Sequence, residues 1–280
     1  MRNSCIYILI IFSFVRCNSS TNSDNFSKMN SEGWNDEHRV EKTIGNIIFT
    51  FPSKGWAFDY RDSLVKEFPD VIKHDISLIN LTEYTDTIRV VFTNTRKEQV
   101  RYTSMPFTGL TFVDIQTIFL VADTSRRPVN LPFKHEMMHM ITCSEWDTPI
   151  EPEMTWMKEG IATYAAGDLR NCNGNDYSIE QIYAYISEKN KLIPLDSLIT
   201  DFYGRKEMVV YHESACIVKY LLANYGVEKF KNLWQGHMTD FERIYGVPYR
   251  QVEQEVHKNI TQSHPALPEM DWDFFIKGCR

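Results

Sequence analysis

The segment with the clearest chemistry is His135-Glu136-Met137-Met138-His139, in which two histidines lie four residues apart. On a helix, residues i and i+4 project from one face, about 40° apart around the axis, so both imidazoles can reach one ion. The spacing is that of the HExxH zinc motif, in which the glutamate serves as a general base. The alternative is an amphipathic helix whose histidines bond to neighbouring residues.

A third ligand is needed, because catalytic zinc takes three protein ligands and leaves a fourth position for water. Glu159, within the run WMKEGIA at 156–162, lies 20 residues after His139. This distance lets a first helix end near Cys143 and a second, roughly antiparallel helix turn Glu159 toward the imidazoles. Taken alone, Glu159 could be a solvated helix residue. Together with the two histidines it predicts a site for one zinc ion held by His135, His139 and Glu159.

The order HEMMH and then WMKEGIA resembles the gluzincin metallopeptidases, whose third zinc ligand is a glutamate from a second helix. Downstream, the run VVYHESA at 209–215, continuing to Phe230, resembles the helix of aminopeptidase N-like enzymes that begins with a catalytic tyrosine. The tract Ile193-Pro194-Leu195 with Leu198, and the closing segment 241–246, are similar to compact peptidase MA-like relatives. The resemblance covers about residues 43–260.

This resemblance implies a zinc-dependent peptidase with His135, His139 and Glu159 as metal ligands and Glu136 as the general base. It also implies that Tyr211 stabilises the transition state, which a hydroxyl aimed at the developing oxyanion can do.

Two questions about the site stay open at this point. His212 could donate in place of Tyr211, and Tyr211 could be a packed aromatic residue at a helix start. Carboxylates that orient the metal-binding imidazoles are expected, and Asp147 and Asp168 are candidates.

The segment Gly109-Leu110-Thr111-Phe112-Val113 bears on the substrate. The related aminopeptidases carry a glutamate in this region that binds the free amine, and this chain has none there. An endopeptidase or oligopeptidase acting on peptides is therefore expected. Extended peptides pair with exposed strand edges, and Thr117 to Val121 is the predicted edge. The alternatives are a non-catalytic, zinc-stabilised ligand-binding lipoprotein and a zinc hydrolase of non-peptide substrates.

The elements that must hold these residues follow from hydrophobic periodicity. Strands are predicted at 46–51, 87–93 and 117–121, and a helix at 60–79 with a break or kink at Pro69. After Asn130, with Pro132 in the first turn, the chain is mostly helical. Ser178 and Gln181 predict a capping box, and Gly226 predicts a helix end.

The predicted fold class is α+β, and the resemblance implies the zincin (thermolysin-like) metallopeptidase fold. A small α/β sheet lobe at about 34–128 is followed by a mostly helical lobe at about 129–262 and a C-terminal tail. Together they form one metallopeptidase domain at 34–280.

The N-terminus predicts export. Arg2 precedes an apolar run at 5–15, which has the length of a signal-peptide core, so 1–16 is read as a signal peptide. Cys17 and a polar tether at 17–33 resemble a bacterial lipoprotein signal, although Arg16 is unusual before the cysteine. The expectation is a cell-envelope lipoprotein or a secreted protein, in contact with a membrane only through a lipid anchor on Cys17.

Charge and cysteine content limit the partners. The chain has 30 Lys and Arg against 37 Asp and Glu, with no basic cluster, which argues against nucleic acid. Cys143, Cys172, Cys216 and Cys279 follow the signal and could form two disulfides in any of three pairings, or remain buried thiols.

Overall fold

The structure is a computed structural model that describes residues 39–122, 132–146, 152–167, 169–172, 175–263 and 265–278. The strands among them are β1 (Arg39–Ile44), β2 (Ile47–Pro52), β3 (Ile88–Thr93), β4 (Gly109–Phe112), β5 (Thr117–Val121), β6 (Leu169–Cys172) and β7 (Asn175–Tyr177). The helices are α1 (Trp56–Asp59), α2 (Arg61–Leu64), α3 (Phe68–Leu78), α4 (Arg96–Thr103), α5 (Phe133–Glu145), α6 (Thr155–Ala166), α7 (Ile179–Glu188), α8 (Leu195–Thr200), α9 (Glu207–Tyr225), α10 (Val227–Trp234), α11 (Phe241–Tyr245), α12 (Tyr249–Ser263) and α13 (Trp272–Ile276).

A mixed sheet has the strand order β1-β2-β3-β5-β4. Strands β2, β3 and β5 run parallel, and β1 and β4 are antiparallel to their neighbours at the two edges. The three predicted strands are confirmed as β2, β3 and β5, whereas β1, β4 and the β6–β7 hairpin were not predicted. The mixed α+β class is also confirmed.

The prediction that Thr117 to Val121 forms a sheet edge is wrong. This strand, β5, pairs with β3 on one side and with β4 on the other. A single 3₁₀ turn, Val113–Ile115, folds the chain into a tight hairpin and places β4 outside β5. The edge nearest the predicted zinc helix is therefore β4, with Gly109 at its start.

Helices cover both faces of the sheet, which explains why its central strands are mostly apolar on both faces. On one face, Phe92 of β3 belongs to a core with Phe68 of α3 and Phe133 of α5, and the last two rings stack at 3.6 Å. On the other face, Phe119 of β5 and Phe112 of β4 pack under α4 around Tyr102. Helix α5 thereby packs against one face of the sheet, in contact with β4 and β5.

The helical part is organised around the contact of α6 with α9. Gly160 makes this contact close, because a Cβ at this position would lie 2.8 Å from Val218 Cγ2 and 2.9 Å from the Ser214 carbonyl oxygen. The predicted capping box of Ser178 with Gln181 begins α7, and Gly226 ends α9 as predicted.

The predicted helix at 60–79 is interrupted before Phe68, and Pro69 lies in the first turn of α3. Proline lacks an N–H that this turn would leave unpaired in any case, so it begins a helix here. Pro132 lies one residue before α5, at its N-cap position.

Cys143 is disulfide-bonded and Cys216 is a buried free thiol. The four cysteines therefore do not form two disulfides with one another, because Cys216 is unpaired. Residues 1–38, Asn130, Asp147, Asp168 and Cys279 lie outside the described residues, so the predictions made on them stay predictions. No helix in the described part of the chain has the length and apolar character that crossing a membrane requires.

Candidate metal centre

Helix α5 carries His135, Glu136 and His139, and its i, i+4 spacing brings the two imidazoles together. Their Nε2 atoms lie 3.0 Å apart, and the rings meet edge to face with centroids at 4.6 Å. His139 is fully buried, whereas the His135 side chain keeps 14% of its surface exposed. The pair therefore opens to solvent on the His135 side.

Helix α6 supplies the third group. Glu159 Oε2 lies 3.2 Å from His135 Nε2 and 3.4 Å from His139 Nε2, and its side chain is only 1% exposed. The neighbouring Gly160 allows α6 to pack tightly on α9, which holds the helix that carries Glu159. The structure thus brings together the three residues that the sequence predicts as ligands.

The geometry and chemistry of His135, His139 and Glu159 fit a zinc ion. A tetrahedral zinc site with bonds of about 2.0–2.1 Å places its ligand atoms about 3.3 Å from one another. The three atoms here are separated by 3.0, 3.2 and 3.4 Å. Two imidazole nitrogens with one carboxylate oxygen are also a donor set of catalytic zinc. These three are the one group of convergent metal-binding side chains among the described residues.

The electrostatics of Glu159 and the histidines also favour a cation. Burial alone would raise the pKa of Glu159, but the neighbouring His139 and His135 hold it well below its usual range. Burial would lower the pKa of His135, but the Glu159 and Glu136 carboxylates raise it above the usual value. A buried carboxylate kept ionised in this way is ready to bind a positive charge.

Glu136 lies on α5 between the histidines but its carboxylate turns toward the sheet. It is 4% exposed, and its Oε2 accepts a hydrogen bond of 2.7 Å from the Thr111 hydroxyl on β4. Burial raises the pKa of Glu136, against the lowering effect of His135 and His139. A carboxylate with a raised pKa beside a metal site is suited to accept a proton from water.

Helix α9 places Tyr211 and His212 differently. The Tyr211 ring lies nearly parallel to the His135 ring, with centroids at 6.0 Å. The His212 Nδ1 donates to the Met208 carbonyl at 2.6 Å, and its ring contacts Phe275. Burial lowers the pKa of His212 to about 4. Of the two candidate donors, only Tyr211 lies beside the imidazoles.

Two further contacts at the centre were not predicted from the sequence. The Tyr203 hydroxyl donates to Glu159 Oε1 at 3.4 Å, and Thr111 contacts Glu136. Tyr203 comes from the loop between α8 and α9, where no pattern distinguishes it. Thr111 lies in the segment 109–113, where a threonine among apolar residues gives no sign of a contact with the site.

Partners that orient the imidazoles are incomplete among the described residues. Within that part of the chain, the buried Nδ1 of His139 has no hydrogen-bond partner. Asp147 and Asp168, the predicted partners, lie outside it, so their role stays a prediction.

Three comparisons with known proteins bear on the family of this chain. A family model described as the peptidase MA superfamily matches residues 91–259, which include every residue of the site. A comparison with curated proteins finds no match. Among solved structures, the chain is similar to an aminopeptidase N family protein from Idiomarina loihiensis, at 13% identity and a TM-score of 0.39. The alignment covers 86% of this chain and 46% of that protein, so the chain spans about half of its length.

Proposed function

The chain belongs to the peptidase MA superfamily, and from this premise we propose that it is a zinc-dependent endopeptidase or oligopeptidase. The observation that carries the proposal is the convergence of His135, His139 and Glu159 at the spacing of a tetrahedral zinc site, with the Glu136 carboxylate separate from them.

Each residue has a defined task in this proposal. Zinc, when bound by His135, His139 and Glu159, supplies a Lewis acid that acidifies water. Glu136 takes a proton from the attacking water and returns it to the nitrogen of the leaving amine. The Tyr211 hydroxyl donates a hydrogen bond to the oxyanion that develops on the scissile carbonyl.

The edge strand β4 is the proposed binding surface for the peptide. Among the described residues, β4 pairs only with β5, so its outer side is not part of the sheet ladder. A peptide can add to such an edge as a further strand, held by backbone hydrogen bonds. Thr111 on this strand contacts Glu136, which places the edge beside the proposed base. The absence of a glutamate in 109–113 favours cleavage within peptides over removal of N-terminal residues.

A peptide-library screen of the purified, zinc-loaded protein tests this proposal. We expect cleavage that a zinc chelator abolishes and that added zinc restores. Glu136→Gln should lower kcat by at least about 100-fold while zinc content and fold are retained, because a general base contributes about 10²–10⁴-fold.

The results of the screen also separate the alternatives. Stoichiometric zinc without any chelator-sensitive peptide cleavage would favour a zinc-stabilised binding protein or a hydrolase of other substrates. Full activity of the Glu136→Gln variant would contradict the proposed mechanism even if peptides are cleaved.

Export is a further part of the proposal that rests on residues 1–17 alone. The apolar run and Cys17 support a lipid-anchored or secreted protein of the cell envelope. Labelling with a radioactive fatty acid in a bacterial host, with Cys17→Ser as the control, distinguishes the anchored form from the secreted one.

A further inference from the structure

The Thr111 side chain contacts the proposed general base at two points. Its hydroxyl oxygen lies 2.7 Å from Glu136 Oε2 and 2.9 Å from the Glu136 backbone carbonyl oxygen. Thr111 is 1% exposed and Glu136 is 4% exposed, so little water can compete for these bonds. One hydroxyl thus joins the middle of β4 to both the backbone and the side chain of Glu136.

The Thr111 hydroxyl has one proton, so it donates to one of these two oxygens at a time or shares the proton between them. Both oxygens belong to Glu136. Either hydrogen bond therefore ties Glu136 to the middle of β4.

Gly109 provides the space for this arrangement. A Cβ at Gly109 would lie 2.5 Å from Glu136 Oε1 and 2.7 Å from Pro132 Cγ, which is closer than side chains can approach. Strand β4 is also fixed by its pairing with β5, in which Gly109 is opposite Leu120 and Thr111 is opposite Ile118. Glu136 therefore rests against a paired strand, with Gly109 next to one carboxylate oxygen and Thr111 bound to the other.

We propose that Thr111 is a positioning residue that holds the Glu136 carboxylate in its catalytic orientation. This inference rests on the proposed peptidase function, in which Glu136 is the base. Thr111 acts through Glu136 and has no contact with the three metal-binding side chains among the contacts of the described residues. Its loss should therefore affect the rate of the chemical step and leave zinc binding intact.

The test compares three replacements of Thr111 on the peptide that the wild-type protein cleaves best. Thr111→Val preserves the volume and removes the hydroxyl, Thr111→Ala removes both, and Thr111→Ser keeps the hydroxyl. We expect Val and Ala to lower kcat by about 10–100-fold, as much as losing a hydrogen-bond partner that orients a metal ligand, with KM and zinc content unchanged. Ser should remain within about threefold of the wild type.

Thr93→Val is the matched control, because Thr93 is a buried threonine of β3 away from Glu136. Its kcat should equal that of the wild type. The proposal is overturned if Thr111→Val keeps the wild-type kcat, if Ser is as impaired as Val, or if the loss follows side-chain volume. It is also overturned if zinc is lost from the Val variant. An inactive wild-type protein would instead contradict the proposed function itself.

Discussion

Two buried glutamates lie on opposite sides of helix α9 and have different surroundings. Glu159 belongs to α6, which packs on one face of α9, and Glu213 belongs to α9 itself. On one face, Tyr211 lies against His135, and Gly160 of the helix that carries Glu159 packs on Ser214. On the other face, Glu213 accepts the Ile193 N–H at 2.9 and 3.1 Å with its two carboxylate oxygens. Glu159 and Glu213 are equally hidden, at 1% and 2% exposure.

The pKa values of these two glutamates shift in opposite directions. Burial raises the pKa of Glu213 to about 9, opposed by the Ile193 N–H and increased by the nearby Glu253. Burial acts on Glu159 in the same sense, but two imidazoles reverse its effect. Burial by itself thus favours the neutral form of a carboxyl group. A buried carboxylate that is to bind a metal ion needs neighbouring groups, here two imidazoles, that lower its pKa.

Glu213 and Glu253 hold the backbone just before and at the start of α8. The Glu213 carboxyl group holds the Ile193 N–H, and Glu253 Oε1 accepts the Leu195 N–H at 2.7 Å. These bonds anchor the start of α8, and the loop after α8 carries Tyr203 to Glu159. In the tract 193–195, the N–H groups of Ile193 and Leu195 are thus each bound by a carboxyl side chain.

The largest expected effect separates the two glutamates by zinc binding. Glu159→Gln should weaken zinc binding by more than about 100-fold, beyond the 10–100-fold that losing an outer hydrogen-bond partner costs. Glu213→Gln should leave zinc affinity unchanged. Competition with a chromophoric chelator measures both. Equal zinc affinity of the Glu159→Gln variant and the wild type would contradict the proposal that Glu159 is a zinc ligand.

The next effect concerns Tyr211, on the face of α9 that lies beside His135. Tyr211→Phe should lower kcat by about 100-fold, because one hydrogen bond to a developing oxyanion is worth about 2.7–4 kcal/mol. Tyr220→Phe, on the same helix but bonded to Glu255, should change kcat less than twofold. Steady-state kinetics on the same peptide would show an equal loss in both variants if Tyr211 had only a packing role.

A smaller effect is expected at Gly160, where α6 meets α9. Gly160→Ala forces a methyl group against Val218 Cγ2 and the Ser214 carbonyl, which should lower the free energy of unfolding by about 1–3 kcal/mol. Gly204→Ala is the control, because the three atoms nearest to its methyl group belong to the exposed side chain of Asp201. Urea denaturation at fixed zinc concentration measures the free energy of unfolding of both variants. Equal values for Gly160→Ala and the wild type would show that α6 and α9 can accommodate the added methyl group without cost.

The last effect is a change in the pH dependence of stability. Because the pKa of Glu213 is raised on folding, its contribution is fully present below the unfolded pKa of about 4.3 and is lost as pH rises toward 9. The stability of Glu213→Gln relative to the wild type should therefore increase between pH 5 and pH 8, by up to about 4 kcal/mol at about 1.36 kcal/mol per pH unit. Glu228→Gln, at an exposed position, is the control for replacing a glutamate by glutamine. Parallel curves for wild type and Glu213→Gln in denaturation series would contradict the raised pKa.

Local patterns predicted most of the elements that hold the site. Central strands and capped helices were found because their signals lie within a few residues, as with Ser178 and Gln181. The prediction that 117–121 is an edge strand was wrong, because β4 pairs with its outer side. Which strand lies at the edge depends on how the chain folds back on itself, and the composition of a strand does not specify this. For the same reason β4, a short strand opening with Gly109, was not predicted.

The sequence by itself determined which residues could bind a metal, since His135, Glu136, His139 and Glu159 are specified by side-chain chemistry and helical spacing. Only the tertiary structure decided where each of them points. It turned Glu159 toward the imidazoles and Glu136 toward Thr111, and it placed Tyr211 beside His135 while His212 faces Phe275. The physical reason is that these contacts join residues far apart in the chain, and their directions are set by how the helices and the sheet pack.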